Sequence, residues 1–286
     1  MKMGFRGERF IKALLFLMAA IAGAGMILIM LFVFKEGWPI WRKFQLSSLL
    51  FGAHWTPTGR NYGMAPLLAG SFYVTVLAAL IGVPLGMGCA VFLVELAPRA
   101  AARTLRPAIS LLAGIPSVVY GFFGLIVLVP FIRNTFGGMG FSLLTGGVIL
   151  GVMILPTIIA VSEDSLRAVP QEYREASLAL GATHWQTIYR VLVPAAKSGI
   201  IASVILGMGR AVGETMAVIL VTGNRPLLPK SVLDPGSTLT GTIGQEWAYA
   251  GKEHLQALFA VGIVLFVLIM TMNIAAQLVR GWRQEA

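Results

Sequence analysis

The stretch Ser198-GIIASVILGMGRAVGETMAVILV-Thr222 is apolar over almost its whole length, yet it carries Arg210 and Glu214 near its middle. Its length suits a helix that crosses the hydrocarbon core of a membrane. A charged side chain at that depth costs about 2.5–3.5 kcal/mol on insertion scales, so it usually faces a protein interior or a polar path. These two charges are therefore the first candidates for function in this chain.

The whole chain has the composition of an integral membrane protein. Of its 286 residues, 57% are hydrophobic and only 12% are charged, and the mean hydropathy is +0.82. A soluble domain carries about 25% charged residues. Six apolar stretches are long enough to cross about 30 Å of hydrocarbon, which predicts an all-α integral membrane protein with six transmembrane helices. The stretches are Ala13–Phe34, Leu67–Val94, Ala108–Ile132, Ser142–Val161, Ser198–Thr222 and Leu255–Val279.

The distribution of basic residues predicts the orientation of these spans. The net charge is +10, and the lysines and arginines cluster at the ends of apolar stretches, as topology determinants do. The short loop 95–107 holds three arginines and the short loop 133–141 holds one, which places both termini in the cytoplasm. The first apolar stretch is too long for a cleaved signal peptide, so we expect an uncleaved anchor. The expected interfacial tryptophans are Trp38, Trp41 and Trp247 outside and Trp282 inside.

Cysteine and histidine give no sign of a metal or redox centre. Cys89 is the only cysteine and lies in an apolar run, where inert packing is expected. His54, His184 and His254 are too scattered for a ligand pattern. We therefore expect no disulfide, no metal and no cofactor bound by this chain.

Three Gly-x-x-x-Gly pairs lie inside the predicted spans and favour close approach of neighbouring helices. The last pair brackets Arg210, which predicts that the fifth span packs tightly against another helix and holds its charges at a protein seam. The pairs are Gly82/Gly86, Gly147/Gly151 and Gly209/Gly213.

The segment 162–197 is the only large cytoplasmic segment in this topology, and its residues predict two short helices with a glycine turn between them. Two interpretations fit this pattern. The segment either only connects two spans, or it presents a small mixed face, including Tyr173 and Leu180, to a groove on another protein. The helix signals are Pro170 in the first turn, Gly181 at the first end, Thr183 with Gln186 as a capping box, and Pro194 as the second stop.

The same segment resembles a signature of ABC importer permeases. Glu175-Ala176-Ser177, then Gly181, then Val191-Leu192-Val193-Pro194 is similar to the Glu-Ala-Ala…Gly…Ile-x-Leu-Pro pattern of that family. The departures, at positions 177, 191 and 193, are conservative. The resemblance implies the type I ABC importer permease fold, in which this loop forms a cytoplasmic coupling helix that docks in a cleft of the ATP-hydrolysing subunit. By this resemblance the ATPase-coupling residues are Glu175, Ala176, Ser177, Gly181 and Pro194.

Two further stretches narrow the resemblance to the C-type (PstC) permease subunits of bacterial phosphate transport systems. They are AGIPSVVYG at 113–121 and GRAVGETMAV at 209–218. The resemblance covers roughly residues 67–280. It predicts an N-terminal tail, first span and outer loop in 1–66, a permease domain in 67–280 with its coupling loop at 162–197, and a cytoplasmic tail in 281–286.

The resemblance also implies a cargo and partners. The cargo is inorganic phosphate, imported across the bacterial plasma (inner) membrane. The partners are an A-type permease subunit in a heterodimer, two ATPase subunits, and an extracytoplasmic phosphate-binding protein expected to dock on the outer loops 35–66 and 223–254. No Gly-x-x-x-x-Gly-Lys-Ser/Thr loop is present, so this chain is not expected to be an enzyme, and ATP is expected to be used by the partner.

Arg210 is suited to an anion because a guanidinium presents a planar fork that matches phosphate oxygens. Glu214 lies one helical turn further on and, in a continuous helix, on the same face. We expect it to neutralise Arg210 between transport cycles or to accept a proton-bearing oxygen of the substrate. The alternative is an ion pair that only fixes helix packing. Further candidates for the translocation path are Thr215, Thr222 and Asn224 on the outward part of the same helix, and Ser117 and Tyr120 in the third span.

Three other functions stay open at this point. The first is import of another oxyanion such as sulfate, molybdate or phosphonate, since nothing in one arginine separates phosphate from sulfate. The second is an ion-coupled secondary transporter with Glu214 as a proton relay. The third is a membrane anchor or sensor that moves nothing. The coupling-loop signature argues against the second function, and the intramembrane charges argue against the third.

Overall fold

The structure is a computed structural model that describes residues 5–281 and is almost entirely helical. The expectations for the chain ends, including an interfacial Trp282, concern residues 1–4 and 282–286, which lie outside the described range. The helices are α1 (Phe5–Lys43), α2 (Leu46–Phe51), α3 (Ala65–Val91), α4 (Arg99–Gly114), α5 (Ser117–Phe123), α6 (Val129–Phe136), α7 (Leu143–Arg167), α8 (Gln171–Ala179), α9 (His184–Thr187), α10 (Val193–Ala195), α11 (Lys197–Gly213), α12 (Met216–Val221), α13 (Leu239–Glu246) and α14 (Lys252–Gly281). Single π-helical turns at Phe92–Leu96, Gly124–Leu128 and Ile188–Leu192 extend α3, join α5 to α6, and join α9 to α10. Two short strands, β1 (Trp55–Thr56) and β2 (Asn61–Tyr62), form an antiparallel hairpin.

Within residues 5–281, five helical segments are long and apolar enough to cross a membrane. The sixth, α11, qualifies only together with the segment His184–Ala195 that precedes it, and the two are bent by 70°. Counting this bent pair as one span gives six, although its first half, His184–Ala195, lies before the predicted start of the fifth span at Ser198. The five segments are Ile11–Lys43, Ala65–Leu96, Ser117–Phe136, Leu143–Arg167 and Lys252–Ala275.

The predicted start of the third span at Ala108 is wrong. The backbone of Ile115 is extended, with ψ at 126°, which separates α4 from α5. The cause is Pro116, because a residue that precedes proline is driven away from the helical region. The Tyr120 hydroxyl bridges this break by donating to the Leu112 carbonyl oxygen at 2.8 Å. Residues 108–114 therefore end the preceding helix, and the apolar span runs from Ser117 to Phe136.

The second and fourth spans form the centre of the fold and approach each other closely through glycine. A Cβ atom on Gly82 would lie 2.6 Å from Ile154 Cγ1, and one on Gly86 would lie 2.8 Å from Ile158 Cγ2. Gly147 and Gly151 meet the side chains of the second span in the same way. These two Gly-x-x-x-Gly pairs therefore act as predicted.

At one end of the molecule, a buried cluster joins the end of α1, the β-hairpin and the start of α14. Trp55 of the hairpin is buried, and its indole Nε1 donates to Glu246 Oε2 at 3.0 Å. His254 Nε2 lies 2.8 Å from the same carboxylate oxygen. Phe32 and Phe259 stack edge to face lower down, so α1 packs along α14.

Candidate functional site

The fifth span is interrupted at the residues that the sequence marked as functional. Helix α11 ends at Gly213, Glu214 is extended with ψ at 133°, and α12 begins at Met216. Non-helical backbone at membrane depth is tolerated where protein surrounds it or where it lines a water-filled cavity. The break is therefore a feature that the surrounding elements must support.

Two hydrogen bonds of Glu214 support the break. Its Oε1 accepts from the Ala217 backbone N–H at 3.1 Å, which caps the first turn of α12. Its carbonyl oxygen accepts from the Thr240 hydroxyl at 2.6 Å, a contact between residues that are 26 positions apart in the chain. The glutamate thus ends one helix and starts the next.

The expectation that Arg210 and Glu214 share one helix face is wrong, because the helix does not continue between them. Arg210 lies in the last turn of α11 and is exposed, whereas the carboxylate of Glu214 turns toward α12. No ion pair joins them among the interactions of the described residues. A cation in the last turn still interacts favourably with the negative end of the helix dipole.

Thr215, Thr222 and Asn224 also occupy other positions than a continuous helix would give them. Thr215 lies in the break, and Thr222 is buried and donates to the Val218 carbonyl oxygen at 2.8 Å. Asn224 lies beyond α12 with φ at +49°, and its amide nitrogen donates to the Ile219 carbonyl oxygen at 2.7 Å. Of the three, Thr215 remains beside Glu214, while Thr222 and Asn224 complete the end of α12.

Four hydroxyl-bearing residues surround the break and were missed by the sequence analysis. Ser71 and Thr75 lie one turn apart on α3, and Thr238 and Thr240 lie at the start of α13. Together with Glu214 they line a crevice that is too narrow to hold a water molecule. Ser71 Oγ accepts from the Leu239 N–H at 2.9 Å, which fixes α13 against the second span. The available signal was the run Ser237-Thr-Leu-Thr-Gly-Thr242 together with two hydroxyls spaced i,i+4 in an apolar span.

The surface around Arg210 is open on the side away from the core. A Cβ atom on Gly209 or Gly213 would meet nothing within 4 Å, in contrast to the glycines of the second and fourth spans. The predicted tight packing around Arg210 is therefore not made within this chain. A charged side chain that faces lipid is costly, so this face fits contact with another protein better than contact with lipid.

The segment between the fourth and fifth spans forms the predicted helical hairpin. Helix α8 begins at Gln171, one residue later than expected, because the backbone of Pro170 is still extended. Gly181 has φ at +82°, a conformation that favours glycine. Thr183 and Gln186 make both hydrogen bonds of the predicted capping box. Pro194 lies in the short helix α10, and the chain bends one residue after that helix, at Ala196.

The hairpin formed by α8 and α9 carries exposed aromatic and aliphatic side chains. Leu180 is 89% exposed and Trp185 is 59% exposed, so both are available to another protein. Glu175 and Ala176 are exposed beside them, and Glu175 accepts from Gln171 Nε2 at 2.8 Å. Ser177 instead faces inward, with its Oγ 3.0 Å from Thr187 Oγ1, and so fixes α8 to α9.

Comparison with protein families gives a match over residues 82–283 to the family described as binding-protein-dependent transport system inner membrane component. The match includes the hairpin and the broken fifth span.

Curated relatives resemble the chain over most of its length. A protein of Bacillus subtilis (strain 168), described as probable ABC transporter permease protein YqgH, is 48% identical over 226 residues, which are 77% of this chain and 73% of that protein. The phosphate transport system permease protein PstC of Mesorhizobium japonicum is 37% identical over 257 residues, covering 82% and 78% of the two chains. The protein of the same description from Haemophilus influenzae is 35% identical, covering 81% and 80%.

Solved structures show the same fold at low sequence identity. A chain of the inward-facing MetNI methionine ABC transporter matches with a TM-score of 0.60 and 24% identity, over 80% of this chain and 99% of that one. A chain of a bacterial alginate ABC transporter, in complex with an alginate pentasaccharide-bound periplasmic protein, matches with a TM-score of 0.60 and 15% identity, over 91% and 92%. These likenesses concern the fold alone.

Proposed function

This chain belongs to the family of binding-protein-dependent transport system inner membrane components, the permease subunits of ABC importers, and we propose that it imports inorganic phosphate. The proposal draws on relatives described as phosphate transport system permease proteins, which are 37% and 35% identical over about four fifths of the chain. Its chemical support is Arg210, an intramembrane cation exposed beside a break in its own helix.

The single observation that carries the proposal is that Glu214 bonds to the Ala217 amide and leaves Arg210 without that counter-ion. A guanidinium in a site with little water stabilises an oxyanion through paired, charge-assisted hydrogen bonds. Phosphate at neutral pH loses its hydration on entering such a site, and the loss is offset only where donors replace water. The free guanidinium of Arg210 is the donor that we assign to this task.

Glu214 then has a second task in the cycle. An arginine that binds an anion tightly must also release it, and a carboxylate that reached the guanidinium would replace the anion. We propose that Glu214 exchanges between the Ala217 amide, as in this structure, and Arg210 after phosphate has left. Thr215 lies in the break between α11 and α12, and Asn224 bonds to the end of α12, so we propose that both act on the segment that moves with Glu214.

Partners complete this machinery. An A-type permease subunit is proposed to cover the open face at Arg210, forming a heterodimer with the path between the two chains. Two ATPase subunits are proposed to dock on the α8–α9 hairpin through Glu175, Ala176 and Gly181, with Ser177 holding α8 against α9 and Pro194 at the bend, and to use ATP. An extracytoplasmic phosphate-binding protein is proposed to dock on the loops 35–66 and 223–254. We place the complex in the bacterial plasma membrane, with both termini of this chain in the cytoplasm.

Uptake of labelled phosphate tests the proposal. Cells that lack this chain receive either the wild type, Arg210→Gln, or Arg103→Gln, a matched control at an exposed arginine of α4. We expect ATP-dependent uptake to return with the wild type and the control but not with Arg210→Gln, and to resist unlabelled sulfate and phosphonate.

Two results would count against it. Competition by sulfate or phosphonate would assign the site to another oxyanion. Normal uptake by Arg210→Gln in an assembled complex would remove Arg210 from the path.

A further inference from the structure

A buried carboxylate joins the α8–α9 hairpin to the second span. Glu95 lies in the π-helical turn Phe92–Leu96 at the end of α3, and its side chain is only 3% exposed. It forms an ion pair with Arg174 of α8, and its Oε2 lies 3.8 Å from Nε2 of His184, the first residue of α9. One carboxylate therefore contacts both helices of the hairpin.

A second buried carboxylate continues the connection into the fourth span. Glu163 of α7 is 12% exposed and accepts from Arg106 Nε of α4 at 2.7 Å and from Arg167 Nε at 3.0 Å. Arg106 also donates through Nη2 to the Leu93 carbonyl oxygen at 3.3 Å, two residues before Glu95. The polar contacts thus run from the hairpin through the end of the second span to α4 and the fourth span.

Apolar packing lies under these contacts. Ala90 and Val91 of the second span share a buried cluster with Ile188 and Leu192, which follow α9. The fifth span, by contrast, continues from this segment through a 70° bend at Ala196. The fifth span also packs on this cluster, through Ile200, but the ion pairs of the hairpin among the described residues go to the second span, and the fifth span follows the hairpin through a bent stretch of backbone.

We propose that Glu95 is a positioning residue that transmits movement of the ATPase-docked hairpin to the second span, so that the spans move with the hairpin and not only the fifth span behind its bend. The inference rests on the proposed function in that an ATPase moves the hairpin. The Glu95 side chain is buried, so its effect does not come from contact with the ATPase. Removing one partner of a buried ion pair leaves the other charge uncompensated. Arg174 has no second acceptor at hand if the Glu95 carboxylate is lost, since its Nε is already buried without a hydrogen-bond partner among the described residues.

The test uses the complete complex in proteoliposomes and compares Glu95→Gln with Glu172→Gln, an exposed glutamate on α8. We expect Glu95→Gln to keep ATP hydrolysis but to lower the ratio of phosphate moved to ATP hydrolysed by about fivefold or more, the lower end of coupling between linked sites. Glu172→Gln is expected to keep the wild-type ratio. An unchanged ratio in Glu95→Gln would overturn the proposal. If Glu95→Gln does not assemble, Glu95→Asp, which keeps the charge but withdraws the carboxylate, takes its place with the same expected direction and the same contrary outcome.

A distance measurement separates this inference from the choice of cargo. Spin labels are placed at Glu172→Cys on α8 and Arg99→Cys on α4, in a Cys89→Ser background, with and without nucleotide. In the otherwise wild-type complex the distance between the labels is expected to stay constant, and in Glu95→Gln it is expected to change with nucleotide. A complex that moves no phosphate but keeps this pattern would refute the proposed cargo and retain the proposed role of Glu95. A distance that changes equally in both complexes would refute the proposed role of Glu95.

Discussion

The Glu214 carboxylate lies 3.1 Å from the Ala217 amide nitrogen and caps α12 across the break in the fifth span. This places an acidic side chain in a structural role within four residues of an arginine that we assign to the substrate. The two roles make different demands on the side chain, and substitution can separate them.

We expect Glu214→Ala to destabilise the chain by about 1 kcal/mol, because the Ala217 amide loses its side-chain acceptor. Glu214→Gln keeps an oxygen acceptor and should retain the stability of the wild type. Its phosphate uptake should nevertheless fall, since an amide does not neutralise Arg210 after release. Thermal unfolding in detergent and uptake in cells measure the two effects. Full uptake by Glu214→Gln would limit this residue to capping.

Arg210→Lys tests the fork of the guanidinium. The variant keeps the positive charge but loses the paired donors, so we expect assembly to survive and the uptake rate to fall about tenfold, which corresponds to one lost charge-assisted hydrogen bond. Co-purification with the partner subunits checks assembly, and labelled phosphate checks transport. If the lysine variant fails to assemble, Arg210 serves the protein seam and not the anion.

Gly82→Ala and Gly209→Ala form a matched pair. The first Cβ would lie 2.6 Å from Ile154 Cγ1 and 2.9 Å from the Gly151 carbonyl oxygen, whereas the second would meet nothing within 4 Å. We expect Gly82→Ala to lower the stability of the isolated chain by about 1–3 kcal/mol through overpacking, and Gly209→Ala to leave it unchanged. Thermal unfolding of the isolated chain in detergent measures the stability of both variants. Equal stability of both variants would show that the second and fourth spans tolerate wider separation than the structure gives.

Tyr120→Phe removes the hydroxyl that donates to the Leu112 carbonyl oxygen across the break at Pro116. We expect a loss of about 1 kcal/mol in the free energy of unfolding, the net worth of one hydrogen bond, with phosphate uptake retained. Uptake that falls while stability is unchanged would instead place Tyr120 on the translocation path.

Gly181→Ala places a side chain where φ is +82°. We expect a cost of about 1–2 kcal/mol at this position and a changed angle between α8 and α9, so that the ATPase subunits no longer co-purify. Gly181→Asn is the matched control, since asparagine accepts the left-handed region more readily. Retained binding by Gly181→Ala would mean that the turn does not set the docking geometry.

Much of the fold is visible in local sequence patterns. The predicted second span, Leu67–Val94, lies within the observed Ala65–Leu96, because a long apolar run has few ways to satisfy its backbone in a membrane. The capping box at Thr183 and Gln186 is also present as predicted, because its donors and acceptors are only three residues apart in the sequence.

The errors lie where distant residues decide. The break at Glu214 depends on Thr240, which no window along the fifth span contains. The Gly82 and Gly209 pairs have the same spacing, but only the first has a neighbour in this chain, because partners are set by the tertiary arrangement. The start of the third span is a different kind of error, since Pro116 was a visible signal that the hydropathy of the surrounding run outweighed.

The open surface at Arg210 also bears on how the cell makes this protein. A subunit inserted alone would present its arginine to lipid at a cost of about 2.5–3.5 kcal/mol, and assembly would remove that cost. The exposed arginine would thereby destabilise a subunit that has not assembled with its partner. Balanced synthesis of the two permease chains would then be a requirement for survival of each in the membrane, and an excess of this one would be expected to disappear by proteolysis.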